Sequence, residues 1–269
     1  MKASDIKQGG AGLPGRVILH GVEGWGKTTF GAFAPSPIVL MSGGETGLET
    51  LIDAGQLPPV DHFPEIGDWH GLAEALTLIE KGGKHKTVVL DTLNGFERLC
   101  HEHVCQKEYG GRWGKDGFTS YSQGFEASLP EWKKLLCRLD DLRRAGIGIV
   151  ALCHSKVAPF RNPEGADYDR YQPDMHHKTW SLTHRWADIV LFANFYTAIS
   201  NEGGKAKGQG GKERIMFAER SAAYDAKNRH GLPTEIEVQD SPESGWKSFI
   251  DALRNAPKKY TKPTTKKGN

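Results

Sequence analysis

The sequence has no apolar run approaching the ~20 residues that a membrane-spanning helix needs, so no transmembrane segment and no membrane partner are expected. Its first residues lack the positive segment and apolar stretch of a secretory signal, and residues 1–15 read as a flexible leader. Cysteine is scarce: Cys100, Cys105, Cys137 and Cys153 are the full set, without the paired spacing of a metal ribbon, as expected for reduced thiols in a cytosolic protein. Cys100-His101-Glu102-His103-Val104-Cys105 offers four zinc-type ligands, but on a helix Cys100 and His103 share one face while His101 and Cys105 share another, which argues against one shared ion. Charge is nearly balanced, with a formal net charge of +2. That balance hides a division, because residues 257–269 hold five lysines and no acid, leaving 30 basic against 33 acidic residues in the remainder. The end of the chain reads as a disordered basic tail, suited either to solubility or to phosphate backbones.

What is present is the composition of a soluble globular protein, 38% hydrophobic and 25% charged. Apolar runs at 16–21, 37–42, 87–92, 146–154 and 188–196 suit strands buried on both faces. Amphipathic stretches at 69–80, 93–108 and 125–145 separate them as crossover helices, so an α/β layered domain over 16–256 is expected. Three segments depart from the alternation. Residues 109–124 are rich in glycine and aromatics, 155–178 read as a polar loop interrupted by Pro159, Pro163 and Pro173, and 201–212 carry five glycines as a hairpin tip or loop. The first two follow predicted sheet elements at the strand ends where α/β proteins bind ligands. No internal repeat is visible.

The strongest chemical signal is Gly21-Val22-Glu23-Gly24-Trp25-Gly26-Lys27-Thr28-Thr29, directly after an apolar strand. Glycines at positions one and six of Gly21-x-x-x-x-Gly26-Lys27-Thr28 let backbone N–H groups surround phosphate oxygens, Lys27 bridges the β- and γ-phosphates, and Thr28 offers a hydroxyl to Mg²⁺. Lys86 to Asp91 form an apolar strand ending in an acid, the form of a Walker B element, with Asp91 either a metal residue or a cap for the next helix. Residue 92 is Thr, so no acid follows Asp91 to activate water. Glu45, just beyond the second strand, is the candidate base, against the alternative of a first-turn carboxylate favoured by a helix dipole. His154 ends the run 146–154 and would emerge near the γ-phosphate as a sensor, or serve ordinary hydrogen bonding at a strand end.

Together these residues resemble the RecA-like ATPases, and most closely the phage-encoded ATP-binding proteins regarded as RecA-like single-strand annealing recombinases. The phosphate loop with Glu23 at its third position, Glu45 after the second strand, Asp91 and His154 carry the resemblance, which spans roughly residues 17–238. Asp225-Ala226-Lys227-Asn228-Arg229 is similar to the Lys-x-Arg element of RadA- and DnaB-type members, which reaches into a neighbouring subunit's ATP; the alternative is a basic β-turn. The resemblance implies a mostly parallel central sheet flanked by helices with a C-terminal antiparallel extension, and a Mg²⁺-dependent ATPase. It also implies a homo-oligomeric ring or filament acting on single-stranded DNA, in the cytoplasm of an infected bacterial host, with a single-strand DNA-binding protein as a further partner.

For DNA contact, Arg112, Trp113, Lys115, Phe118 and Tyr121 interleave cations with rings, and His176, His177 and Lys178 form a second set beside Trp180. The same aromatics would equally serve to pack the loops on the core. A small-molecule phosphotransferase with a loop lid, or a nucleotide-controlled loader, are the competing readings.

Overall fold

In the computed structural model, residues 15–202 and 205–257 are described, with backbone only for 198–202 and 205–210. The leader 1–14 and the tail lysines from 258 onward lie outside the described residues. Five parallel strands form the centre: β1 (Arg16–Gly21), β2 (Pro37–Met41), β4 (Thr87–Asp91), β5 (Gly148–Phe160) and β7 (Ile189–Glu202), with short β3 (Asp61–His62) at one edge. Their order β7-β1-β5-β4-β2-β3 places β5 between the strand of the phosphate loop and the strand that ends at Asp91. Beyond β7, the antiparallel strands β8 (Lys205–Phe217) and β10 (Glu235–Val238) extend the sheet, while β9 (Lys227–Asn228) pairs with the start of β7. This is the mostly parallel α/β layout, flanked by helices and with a C-terminal antiparallel extension, that the resemblance implies.

The continuous apolar runs follow from burial on both faces. Successive side chains of a strand point to opposite sides, so Ile18, Leu40, Leu90 and Ala151 face one layer, and Leu19, Val39, Val89 and Val150 face the other. Against the first layer pack α3 (Trp69–Gly82), α4 (Leu93–Tyr109), α6 (Leu129–Arg144) and α7 (His177–Trp186). The second is covered by α1 (Lys27–Ala32), α2 (Gly47–Asp53) and α8 (Ser244–Asn255), the last through Phe249 and Trp246 against Phe30. Two of these helices, α3 and α4, start where a side chain satisfies a free N–H group: Asp68 Oδ1 accepts from the Gly71 N–H at 2.7 Å, and Thr92 Oγ1 from the Gly95 N–H at 3.4 Å. Thr92 thus caps α4, and Asp91 is released for other work.

Two expectations need correction. Residues 155–178 are not a polar loop. β5 runs on past the sheet to Phe160 and turns back antiparallel through β6 (Tyr168–Pro173), Val157 opposite Tyr171 and Phe160 opposite Tyr168. The prolines misled because Pro159 and Pro173 sit in a two-stranded arm, where a missing N–H is tolerated at an edge. The single helix expected at 125–145 is divided into α5 (Gln123–Ala127) and α6, because Pro130 in the first turn of α6 cannot donate back and favours a fresh start. The segment 201–212 falls in the β7–β8 hairpin, whose residues 203–204 lie outside the described ones.

Candidate nucleotide site

Parallel register brings the expected residues to one edge. Gly21 pairs with His154 on β5 and Ala193 on β7, while Asp91 pairs with Met41 on β2 and Leu152 on β5. Gly21 is required by contact, since a Cβ there would lie 2.3 Å from the Ala193 carbonyl oxygen; Gly26 is required by its φ of +100°, which lets the loop turn into α1. Trp25 points inward toward β7. It is buried, and its Nε1 donates to Asn194 O at 3.0 Å, which pins the loop to β7.

Lys27 is buried, with Nζ donating to Gly21 O at 3.2 Å and Val22 O at 2.8 Å. Burial lowers its pKa, opposed first by Asp91. Thr28 Oγ1 donates to Asp91 Oδ2 at 2.7 Å. Burial pushes the Asp91 carboxyl up to about 6, although the Thr28 hydrogen bond acts the other way. Among the described residues no group of three or more His, Cys, Asp or Glu is placed to hold a metal ion. Magnesium is a different case, because it commonly takes one carboxylate, waters and phosphate oxygens, and the adjacent oxygens of Thr28 and Asp91 fit that need. Metal binding requires the ionised carboxylate. Mg²⁺-dependent nucleotide affinity is therefore expected to fall about tenfold per pH unit below pH ~6, where Asp91 becomes neutral, and Asp91→Asn is expected to remove that dependence. Fluorescence titration with nucleotide at a fixed, sub-saturating Mg²⁺ concentration from pH 5 to 8 checks this, and a flat wild-type profile would remove Asp91 from the metal site.

The expected base and sensor prove to be partners. His154 Nε2 lies 3.2 Å from Glu45 Oε1, and Thr92 Oγ1 donates to the same oxygen at 3.2 Å. A carboxylate only accepts, so Nε2 carries the proton. These contacts hold the Glu45 pKa below its ordinary value, the His154 hydrogen bond contributing most. Glu45 is a charged acceptor at neutral pH, as a water-activating group must be. The His154 backbone N–H donates to Asn94 Oδ1 at 3.1 Å. Glu45, His154 and Asp91 line, together with the loop residues Glu23 to Thr29, one cavity of about 590 Å³, within the range of small-molecule sites.

The opposite wall was not anticipated. Arg214 on β8 lines the cavity and donates to Trp25 O at 3.5 Å, Gln239 O at 2.7 Å, Ser241 O at 3.1 Å and Ser244 Oγ at 3.2 Å, fastening the phosphate loop to the segment before α8. Neither Asn94 nor Arg214 lies in a motif. Only the closeness of Asn94 to Asp91 was a usable signal.

Other expected residues scatter. Phe118 is a correction: fully buried among Val104 and Cys105, it has no face for a nucleic-acid base, whereas Trp113, stacked on it at 4.6 Å, is partly exposed and Tyr121 is 94% exposed. Arg112 and Lys115 are exposed. His176 stacks on Phe125 at 4.3 Å and its backbone N–H donates to Glu97, so this residue packs the start of α7 onto α4 and α5; His177 is exposed and Lys178 pairs with Glu126. Lys227 is a second correction. Its Nζ donates to His184 O at 2.6 Å, Arg185 O at 3.2 Å and Ala187 O at 2.7 Å, capping the end of α7, so its three protons are spent within its own chain. Arg229 is half exposed beside Asp188, at the strand end opposite the cavity of its own protomer.

Among the described residues no helix is long and apolar enough to cross a membrane. No curated protein matches the chain. Among solved structures, the flagellar accessory protein FlaH from Methanocaldococcus jannaschii is similar at 12% identity with a TM-score of 0.44, over 88% of this chain and 90% of that one. A family model described as an AAA domain matches residues 14–230. With its phosphate loop, Asp91, Glu45 and His154 gathered in one cavity, the chain belongs to this AAA domain family of P-loop ATPases.

Proposed function

We propose that the protein is a Mg²⁺-dependent ATPase that works as a homo-oligomer on single-stranded DNA, in phage DNA recombination or annealing within an infected bacterial host. The observation that carries the ATPase part is the convergence of Lys27, the Thr28–Asp91 pair and the Glu45–His154 pair on one cavity. They supply respectively a phosphate cation, hard oxygen ligands and a hydrogen-bonded carboxylate for water. The DNA part is supported by exposed Tyr121 and Trp113 beside exposed Arg112 and Lys115, all on the segment that follows α4 from the Asp91 edge of the sheet. Exposed rings stack bases while neighbouring cations follow phosphates. ATP turnover measured with and without single-stranded DNA tests this reading. DNA should raise the rate, and an unchanged rate together with no DNA binding would favour a phosphotransferase or a partner-controlled loader.

Assembly enters through Arg229, the exposed cation of the Lys-x-Arg segment. A guanidinium supplied in trans to the transferring phosphoryl group is worth about 1,000-fold or more in turnover. Arg229→Ala is expected to bind ATP normally and hydrolyse it that much more slowly. Mixed with Lys27→Ala it should regain activity above the sum of the two variants, through sites where an intact loop meets an intact Arg229. Mixtures with confirmed subunit exchange and no such gain would confine Arg229 to its own protomer.

A further inference from the structure

One buried side chain joins the cavity to the segment bearing Arg229. His20 is wholly buried on β1, immediately before Gly21. Its Nδ1 lies 2.9 Å from Ser155 Oγ and its Nε2 lies 2.8 Å from the backbone oxygen of Asp225. The carbonyl only accepts, so Nε2 carries the proton and Nδ1 accepts from the Ser155 hydroxyl. Burial pushes the His20 pKa down to about 4, so the imidazole stays neutral at working pH and keeps this one tautomer. A single ring therefore ties the strand leading into the phosphate loop to the residue after His154 and to the residue two before Lys227.

The Asp225 end is fixed from the other side. Its Oδ1 accepts from Arg170 Nη2 at 2.6 Å and its Oδ2 from Trp180 Nε1 at 3.3 Å, with Arg170 buried on β6 over the Phe160 ring. The Tyr171 N–H donates to Ala223 O at 2.7 Å. Residues 223–225 are thus held against the β5–β6 hairpin, and β5 is the strand that carries His154. Buried polar networks and packed cores occupy discrete arrangements rather than deforming continuously, so a displacement at one end is passed on.

We propose that His20 is a positioning residue which, by bridging Ser155 and Asp225, makes the segment 223–229 respond to occupancy of the nucleotide cavity. This rests on the reading of the cavity as a nucleotide site. Hydrogen–deuterium exchange with and without Mg·ADP separates the two claims. In the wild type, ligand is expected to slow exchange at 21–29 and also at 223–229. Ser155→Ala, at a half-buried position, should keep the slowing at 21–29 and lose at least about half of that at 223–229. Ser155→Thr, which restores a hydroxyl, should recover it. His20→Phe, which keeps a ring against Trp180 and Phe192, should abolish it; should that variant not fold, the Ser155 pair decides. Slowing at 21–29 without any at 223–229 in the wild type, or equal slowing at 223–229 in wild type and Ser155→Ala, would overturn the proposal. Absence of slowing at 21–29 in the wild type would overturn the nucleotide reading, and this inference with it.

Discussion

Lys27→Ala is expected to lose about 100- to 1,000-fold in ATP turnover, the cost of removing one preorganised donor from charge that develops in the transition state. Nucleotide affinity should fall by about 10- to 100-fold, as befits a hydrogen bond to a charged group worth about 1.5–3 kcal/mol. The ammonium is held against Gly21 O and Val22 O, and burial already weakens its hold on the proton. A polyphosphate therefore offers it a better partner than the two carbonyls do. Thermal unfolding monitored by circular dichroism separates loss of function from loss of fold. A folded Lys27→Ala protein with wild-type turnover would remove the phosphate assignment.

Glu45→Gln is expected to bind ATP with nearly wild-type affinity and to hydrolyse it about 100- to 10,000-fold more slowly, the usual contribution of a general base. The substitution is isosteric, and a glutamine oxygen accepts from His154 Nε2 and Thr92 Oγ1 as the carboxylate does, so positioning survives while proton acceptance is lost. Single-turnover rates with pre-bound Mg·ATP isolate the chemical step. A rate equal to wild type would show that water is activated by another group, leaving Glu45 as an anchor for His154.

Much of this site was legible because its signals are local. A phosphate loop spans nine consecutive residues, and an acid at the end of an apolar strand needs only its own flank to be noticed. Glu45 and His154 could each be placed at a strand end, yet their contact, 109 positions apart, had no trace in spacing. The same reason hid Arg214, whose link to Trp25 spans 189 positions. Phe118 and Lys227 were misread for the converse reason. An aromatic among cations and a cation beside an arginine look exposed in a sequence, but a packed cluster beside α4 takes the first and the carbonyls ending α7 take the second. The β5–β6 arm was hidden by prolines that a two-stranded edge tolerates. The sheet itself was readable because burial on both faces leaves unbroken apolar runs, and no polar alternation competes with them.

ATP hydrolysis in this cavity is tested by product analysis of the protein incubated with γ-labelled ATP, in Mg²⁺ and in excess chelator. ADP and free inorganic phosphate are expected in equal amounts with Mg²⁺, formed faster with single-stranded DNA, and intact ATP is expected with chelator. Recovery of intact ATP under both conditions, or label transferred to an acceptor other than water, would contradict it.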